Sequence, residues 1–172
     1  NKLFLPLGFT YSKYIIRDDF DRINSFQKDV SLLQAFVIDD NGSLPGMRRF
    51  MSDDVMKSEF TSEKYETFCN ELKLYYLHLI EFNQNLIRGS IELPEKKLVF
   101  LSVPFDGGWK AKVDGSDYPL LKVNIGFMGL LLEPGCHDIE IRFFPRMLWA
   151  GIVCSFIGLV VYCFFIVREY RR

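Results

Sequence analysis

The sequence predicts a mainly β chain with some α: an antiparallel, β-sandwich-like domain followed by one C-terminal transmembrane helix. Three observations carry that expectation. Residues 147–167 contain no Asp, Glu, Lys, Arg or His; as a helix this stretch reaches roughly 31 Å, the thickness of a bilayer's hydrocarbon core. Between Leu98 and Phe143, apolar and polar side chains alternate in short runs separated by Pro and Gly turn signals, the pattern of an antiparallel sandwich. Upstream, Phe20, Ile23, Phe26, Val30, Leu33 and Val37 recur every three to four residues, the period of an amphipathic helix.

In chain order, residues 1–71 read as a mixed α and irregular part of the domain. Asp18 or Asp19 is placed to cap the helix that starts near Phe20. Asn41-Gly42 is a turn signal, and Asn41-Gly42-Ser43 also has the form of a glycosylation sequon. Ser52-Asp53-Asp54 and the stretch after Thr61 could each start a short helix. Residues 72–145 read as the β-sandwich part. Leu74 to Phe82 and Leu86 to Leu93 are apolar runs split by Asn83-Gln84-Asn85. Five further strands are expected between Leu98 and Phe144: 98–103, then Trp109, Ala111 and Val113 against Lys110 and Lys112, then Leu121, Val123 and Ile125, then 127–132, then Ile139, Ile141 and Phe143. Asp114-Gly115 marks a hairpin between them. Pro145 ends the last strand at the start of the 147–167 span, leaving almost no linker.

Flanking charge suggests an orientation. Arg168, Arg171 and Arg172 follow the span, against Glu169, while Arg142 and Arg146 before it are offset by Asp138 and Glu140, so the positive-inside rule places tail 168–172 in the cytoplasm and the domain outside it. Trp149 and Tyr162 fit interfacial positions near the two ends. No signal peptide is visible at the N-terminus, and a start at Asn1 suggests a piece of a longer protein whose upstream part carried the domain across the membrane. Within the span, Ala150, Cys154 and Gly158 recur every four residues beside Gly151 and Ser155, a small-residue face suited to packing against neighbouring helices.

Charge excludes one class of partner. Basic and acidic residues nearly balance, 21 against 22, and with the residues flanking the span set aside the rest is mildly acidic without a basic run, so nucleic acid is not expected. Four Cys at no motif spacing form no metal or disulfide framework; Cys69 and Cys136 could pair, while Cys154 and Cys163 lie in the span. His78 and His137 are isolated. No metal and no cofactor are expected. The doublets Asp18-Asp19, Asp39-Asp40 and Asp53-Asp54 do not make a catalytic pair, because adjacent side chains point apart whereas glycosidase chemistry needs two carboxyls across one bond. No catalytic residue is therefore assigned.

Three residues stand as ligand-binding candidates. Trp109, after Asp106-Gly107-Gly108, could stack on a sugar ring, although alternation places it with Ala111 and Val113 as a buried core residue. Asp114 could bind a hydroxyl, although Asp-Gly at a hairpin explains it. His137 could act as an acid, a base or a metal ligand, although, with no second His nearby, a strand-start residue hydrogen-bonding the Glu133–Gly135 turn is the better explanation.

The run from Gly108 through Trp109 to Val113-Asp114-Gly115, then Gly126-Phe127-Met128-Gly129, then Gly135-Cys136-His137 through Phe144-Pro145 and an apolar span, resembles the C-terminal end of the YfhO family of bacterial membrane proteins. Leu5-Pro6-Leu7-Gly8-Phe9-Thr10 and Asn85-Leu86-Ile87-Arg88-Gly89-Ser90 fit as well. The resemblance implies a GT-C-type membrane glycosyltransferase with a lipid-linked sugar donor, acting in cell-envelope glycosylation such as that of lipoteichoic acid. Its catalytic carboxylate would lie in an early extracytoplasmic loop that no position here matches. The chain would then be the extracytoplasmic accessory domain and last helix. Its partners would be the lipid bilayer, upstream transmembrane helices of the same protein, and envelope glycan or lipid-linked sugar. The alternative is a membrane-tethered, non-catalytic carbohydrate-binding or structural β-sandwich.

Overall fold

The computed structural model describes residues 4–39, 44–51, 61–145 and 147–171. Twelve strands and four helices lie among them. The strands are β1 (Gly8–Tyr11), β2 (Lys13–Ile16), β3 (Phe36–Ile38), β4 (Arg48–Arg49), β5 (His78–Asn83), β6 (Leu86–Leu93), β7 (Lys97–Pro104), β8 (Trp109–Val113), β9 (Ser116–Tyr118), β10 (Leu121–Val123), β11 (Phe127–Leu132) and β12 (Gly135–Phe143). The helices are α1 (Arg17–Arg22), α2 (Ser25–Leu32), α3 (Ser62–Leu72) and α4 (Leu148–Tyr170).

The strands form two sheets, one in the order β1-β7-β11-β10-β3-β2-β4 and one in the order β5-β6-β12-β8-β9. Alternation along β6, β8, β11 and β12 turns every second side chain inward. Ile87, Ile91, Val99, Leu101, Met128, Leu130, Ile139 and Ile141 thereby make one core shared by both sheets, as in a sandwich. The pairing of β2 with β3 and with β4 is parallel, so the first sheet is mixed.

The first sheet also curls. β1 and β2 are one run of chain broken only at Ser12, yet β1 pairs with β7 while β2 pairs with β3 across the sheet. Its concave side holds an aromatic core of Phe9, Tyr11, Tyr14, Phe36 and Phe100, sealed by Leu72 of α3. The Phe9 and Phe100 rings lie 4.9 Å apart. Beyond it, α1 and α2 cover Ile15 and Val37 with Phe20, Ile23 and Val30.

Several expectations change. The helix expected from Phe20 to Val37 is two short helices and a strand. Asn24 interrupts it by capping α2, its side chain accepting from Gln27 N while Gln27 Oε1 accepts from Asn24 N, a capping box. Val37 lies in β3, buried between sheet and helices. The strands between Leu98 and Phe144 number six and are divided between the two sheets. The extra one is β9, the short polar return of the Asp114-Gly115 hairpin. Ile125, expected to continue β10, sits in the turn with φ 73° and is exposed. Cys69 is buried on α3 and Cys136 is exposed on β12, both as free thiols. The signals at Asn41-Gly42 and at Ser52-Asp53-Asp54 lie outside the described residues.

α4 is long and apolar enough to cross a membrane, and its apolar side chains are exposed. It follows β12 directly: Phe143 ends the strand and Leu148 begins the helix.

Candidate functional site

The sandwich has two poles, and the candidate residues divide between them. At the pole where β12 runs out toward α4, Trp109 pairs across the sheet with Phe143, their rings 5.0 Å apart. The chain reaches Trp109 from β7 through 105–108. Gly108 is required there because a Cβ would lie 2.6 Å from the Phe144 carbonyl oxygen. The turn is closed by Gly108 N donating to Asp106 Oδ1 and by Phe144 N donating to the Gly108 carbonyl.

Trp109 is half-buried rather than fully buried: it packs against the sandwich core and also lines a groove of about 750 Å³. It starts its strand at the end of the sheet, where the core is no longer closed over it. Phe105, Tyr118, Lys110 and Asp117 are among the other lining residues. Tyr118 Oη donates to the Leu131 carbonyl across the sandwich, which fixes its ring. An apolar, aromatic wall edged by a cation and a carboxylate suits a polyhydroxylated ligand, since ring faces cover C–H surfaces and polar groups meet hydroxyls. Phe105 and Tyr118 were missed in sequence. Tyr118 had a signal, because an Asp-Gly hairpin returning along β8 must bring it opposite Ala111.

Asp114 and His137 lie at the other pole and meet each other. Asp114 occupies the left-handed region, φ 53°, followed by Gly115 at φ 80°, which is the two-residue turn expected of Asp-Gly. Its Oδ1 accepts from Asp138 N at 2.9 Å and its Oδ2 lies 2.8 Å from His137 Nδ1. His137 Nε2 lies 3.0 Å from the Glu133 carbonyl oxygen. A carboxylate and a carbonyl both accept, so these two contacts favour the charged imidazole, in which both ring nitrogens donate. Burial pulls the His137 pKa down. The bonds to Asp114 and Glu133, with the Asp114 charge, outweigh it and leave the pKa above its ordinary value. The His137 bond first, then the Asp138 N–H, hold the Asp114 carboxyl below the usual range. With both nitrogens engaged, the ring joins the β8–β9 hairpin to the turn before β12 and offers no free lone pair.

On the outer face of the second sheet, Glu140 accepts from Arg142 Nε at 2.6 Å and Arg88 Nη2 at 2.5 Å. Arg142 first, then Arg88, hold its pKa down to about 2. The network is solvent-facing and braces β6 against β12.

The profile of the family described as "Bacterial membrane protein YfhO" matches residues 43–155. A Bacillus subtilis (strain 168) protein printed as "Uncharacterized protein YfhO" is 24% identical over 110 residues, covering 62% of this chain and 13% of that protein. The chain thus spans a small part of the length of this relative. No solved structure matches.

Proposed function

The chain belongs to the YfhO family of bacterial membrane proteins, and from that premise we propose that it is the extracytoplasmic accessory domain and a membrane helix of a GT-C-type glycosyltransferase acting in envelope glycosylation, such as that of lipoteichoic acid. Its role there is to hold acceptor glycan, while the catalytic carboxylate and the lipid-linked donor belong to other parts of the protein. The observation that carries this reading is the position of the aromatic groove. Phe105, Trp109 and Tyr118 line it at the pole from which α4 departs, so a glycan held there lies close to the bilayer, where a lipid-linked donor must react. Asp114 and His137 serve as structure in this reading and Trp109 as the stacking residue.

The test is sugar transfer from a polyprenyl-phosphate donor to lipoteichoic acid by membranes containing the full-length protein. Trp109→Ala is expected to raise the acceptor KM several-fold with kcat and the donor KM little changed. An unchanged acceptor KM, in a variant whose level in the membrane matches the parent, would leave the domain as a tethered structural sandwich.

A further inference from the structure

The pole that carries α4 differs from the opposite one in what its loops expose. At the far pole the connections carry charge: Glu95 and Lys96 before β7, Asp114 before β9, Glu133 before β12. At the α4 pole the turns 83–86, 105–108, 124–126 and the residues after β12 contain one described acid, Asp106, whose carboxylate is turned back onto Gly108 N. What this pole presents is apolar. Phe82, Phe105, Ile125, Phe127 and Phe144 are exposed there, brought together from both sheets by the pairings of Phe127 with Pro104, Phe82 with Ile87 and Phe143 with Trp109. Phe4 joins them, since Leu7 lies beside Ser102 near the same end of β7.

Ile125 is the most informative of these. A β-branched residue at φ 73° is a backbone outlier, and such outliers persist where the surrounding structure holds them, here the three-residue reversal anchored by Asn124 on Val37. Here the strain sets an apolar side chain at the tip of a turn, 48% exposed, with Gly126 next to it in a relaxed conformation.

We propose that this pole is a bilayer-contacting surface: its apolar loop tips rest in the headgroup layer of the leaflet that α4 enters, so the domain stands upright on the membrane. The proposal rests on α4 being a membrane span. The occupant is lipid because the surface is continuous with the start of the helix. Phe144, Met147, Leu148 and Trp149 carry the exposed apolar surface on into the helix, and the one charged residue of the sequence between them is Arg146, a residue type that the headgroup layer accepts. Aromatic and aliphatic loop tips with few acids are what the interface accepts. The second sheet's long strand β12, nine residues and so roughly 30 Å, then holds the charged pole in water.

Brominated-lipid quenching tests this with the full chain in vesicles of equal phosphatidylcholine and phosphatidylglycerol, brominated near the headgroup. Trp149 alone, with Trp109→Phe, reports α4. With Trp149→Phe and Trp109→Phe as background, Ile125→Trp and Phe82→Trp report the two sheets at this pole, and Glu95→Trp reports the far one. Expected is a loss of fluorescence at Ile125→Trp and Phe82→Trp comparable to that of Trp149, with none at Glu95→Trp. Quenching of Trp149 without quenching at either pole position overturns the surface and keeps the span, and the tips then face protein or water. Equal quenching at Glu95→Trp overturns the upright stance. Absence of quenching at Trp149 removes the membrane reading with it.

Discussion

His137 stands between two acceptors, and that one residue links two turns that are apart in sequence. Its neighbour Asp114 needs the left-handed backbone of the hairpin to aim both carboxylate oxygens, one at the ring and one at Asp138 N. A raised His pKa contributes stability in full below the unfolded value near 6.5 and loses it as pH rises through the folded value; a lowered Asp pKa contributes above about 4 and loses it as pH falls through its folded value. The pair therefore stabilises most between about pH 4 and 6.5. Asp114→Asn is expected to lower Tm most within that window, with the deficit vanishing as pH falls through the folded Asp114 value and shrinking as pH rises through the folded His137 value, as thermal unfolding at a series of pH values will show; a constant offset across the range would deny the linkage. Each residue's local role was legible, Asp114 as a turn residue and His137 as a partner of the Glu133–Gly135 turn. Their pairing was not, because it depends on β8 and β12 being neighbours.

Among the elements, strands marked by an apolar run or by alternation were legible to within a residue: β6 and β11 as apolar runs and β8 by alternation start and end where the pattern does. β9 was not, since Ser116-Asp117-Tyr118 has no apolar alternation and is a strand only because the hairpin delivers it to β8. β10 stops at Val123 rather than Ile125, because pairing with Phe127 leaves three residues to reverse the chain. The connection 105–108 is an element in its own right, locked by close approach at Gly108. Gly108→Ala is expected to destabilise the domain by about 1–3 kcal/mol through overpacking against Phe143 and Phe144. Gly126→Ala, where a Cβ meets nothing within 4 Å, should stay within about 0.5 kcal/mol. Urea unfolding of both variants measures the contrast, and equal effects would remove the packing argument.

For the whole molecule, the proposed arrangement is a domain outside the cytoplasm, one crossing by α4 and a tail inside. Cys136, exposed at the far pole, is a native probe for it. In a background lacking the other cysteines, an impermeant maleimide applied to intact cells is expected to label Cys136 and to spare Tyr170→Cys, with both labelled after lysis. Labelling of Tyr170→Cys alone in intact cells would invert the arrangement.

What the sequence by itself determined is whatever one segment can express. An uncharged run of bilayer length, two-residue alternation and an Asp-Gly turn act through local chemistry, so they specify α4, most of the strands and the β8–β9 hairpin without reference to the rest. The distribution of strands over two sheets, the curl through Ser12 that makes an aromatic core of Phe9, Tyr11 and Phe36, and the gathering of Trp109 with Tyr118 and of Asp114 with His137 were decided only by tertiary structure. Those contacts join residues up to roughly ninety positions apart, and no local preference encodes which strand lies beside which.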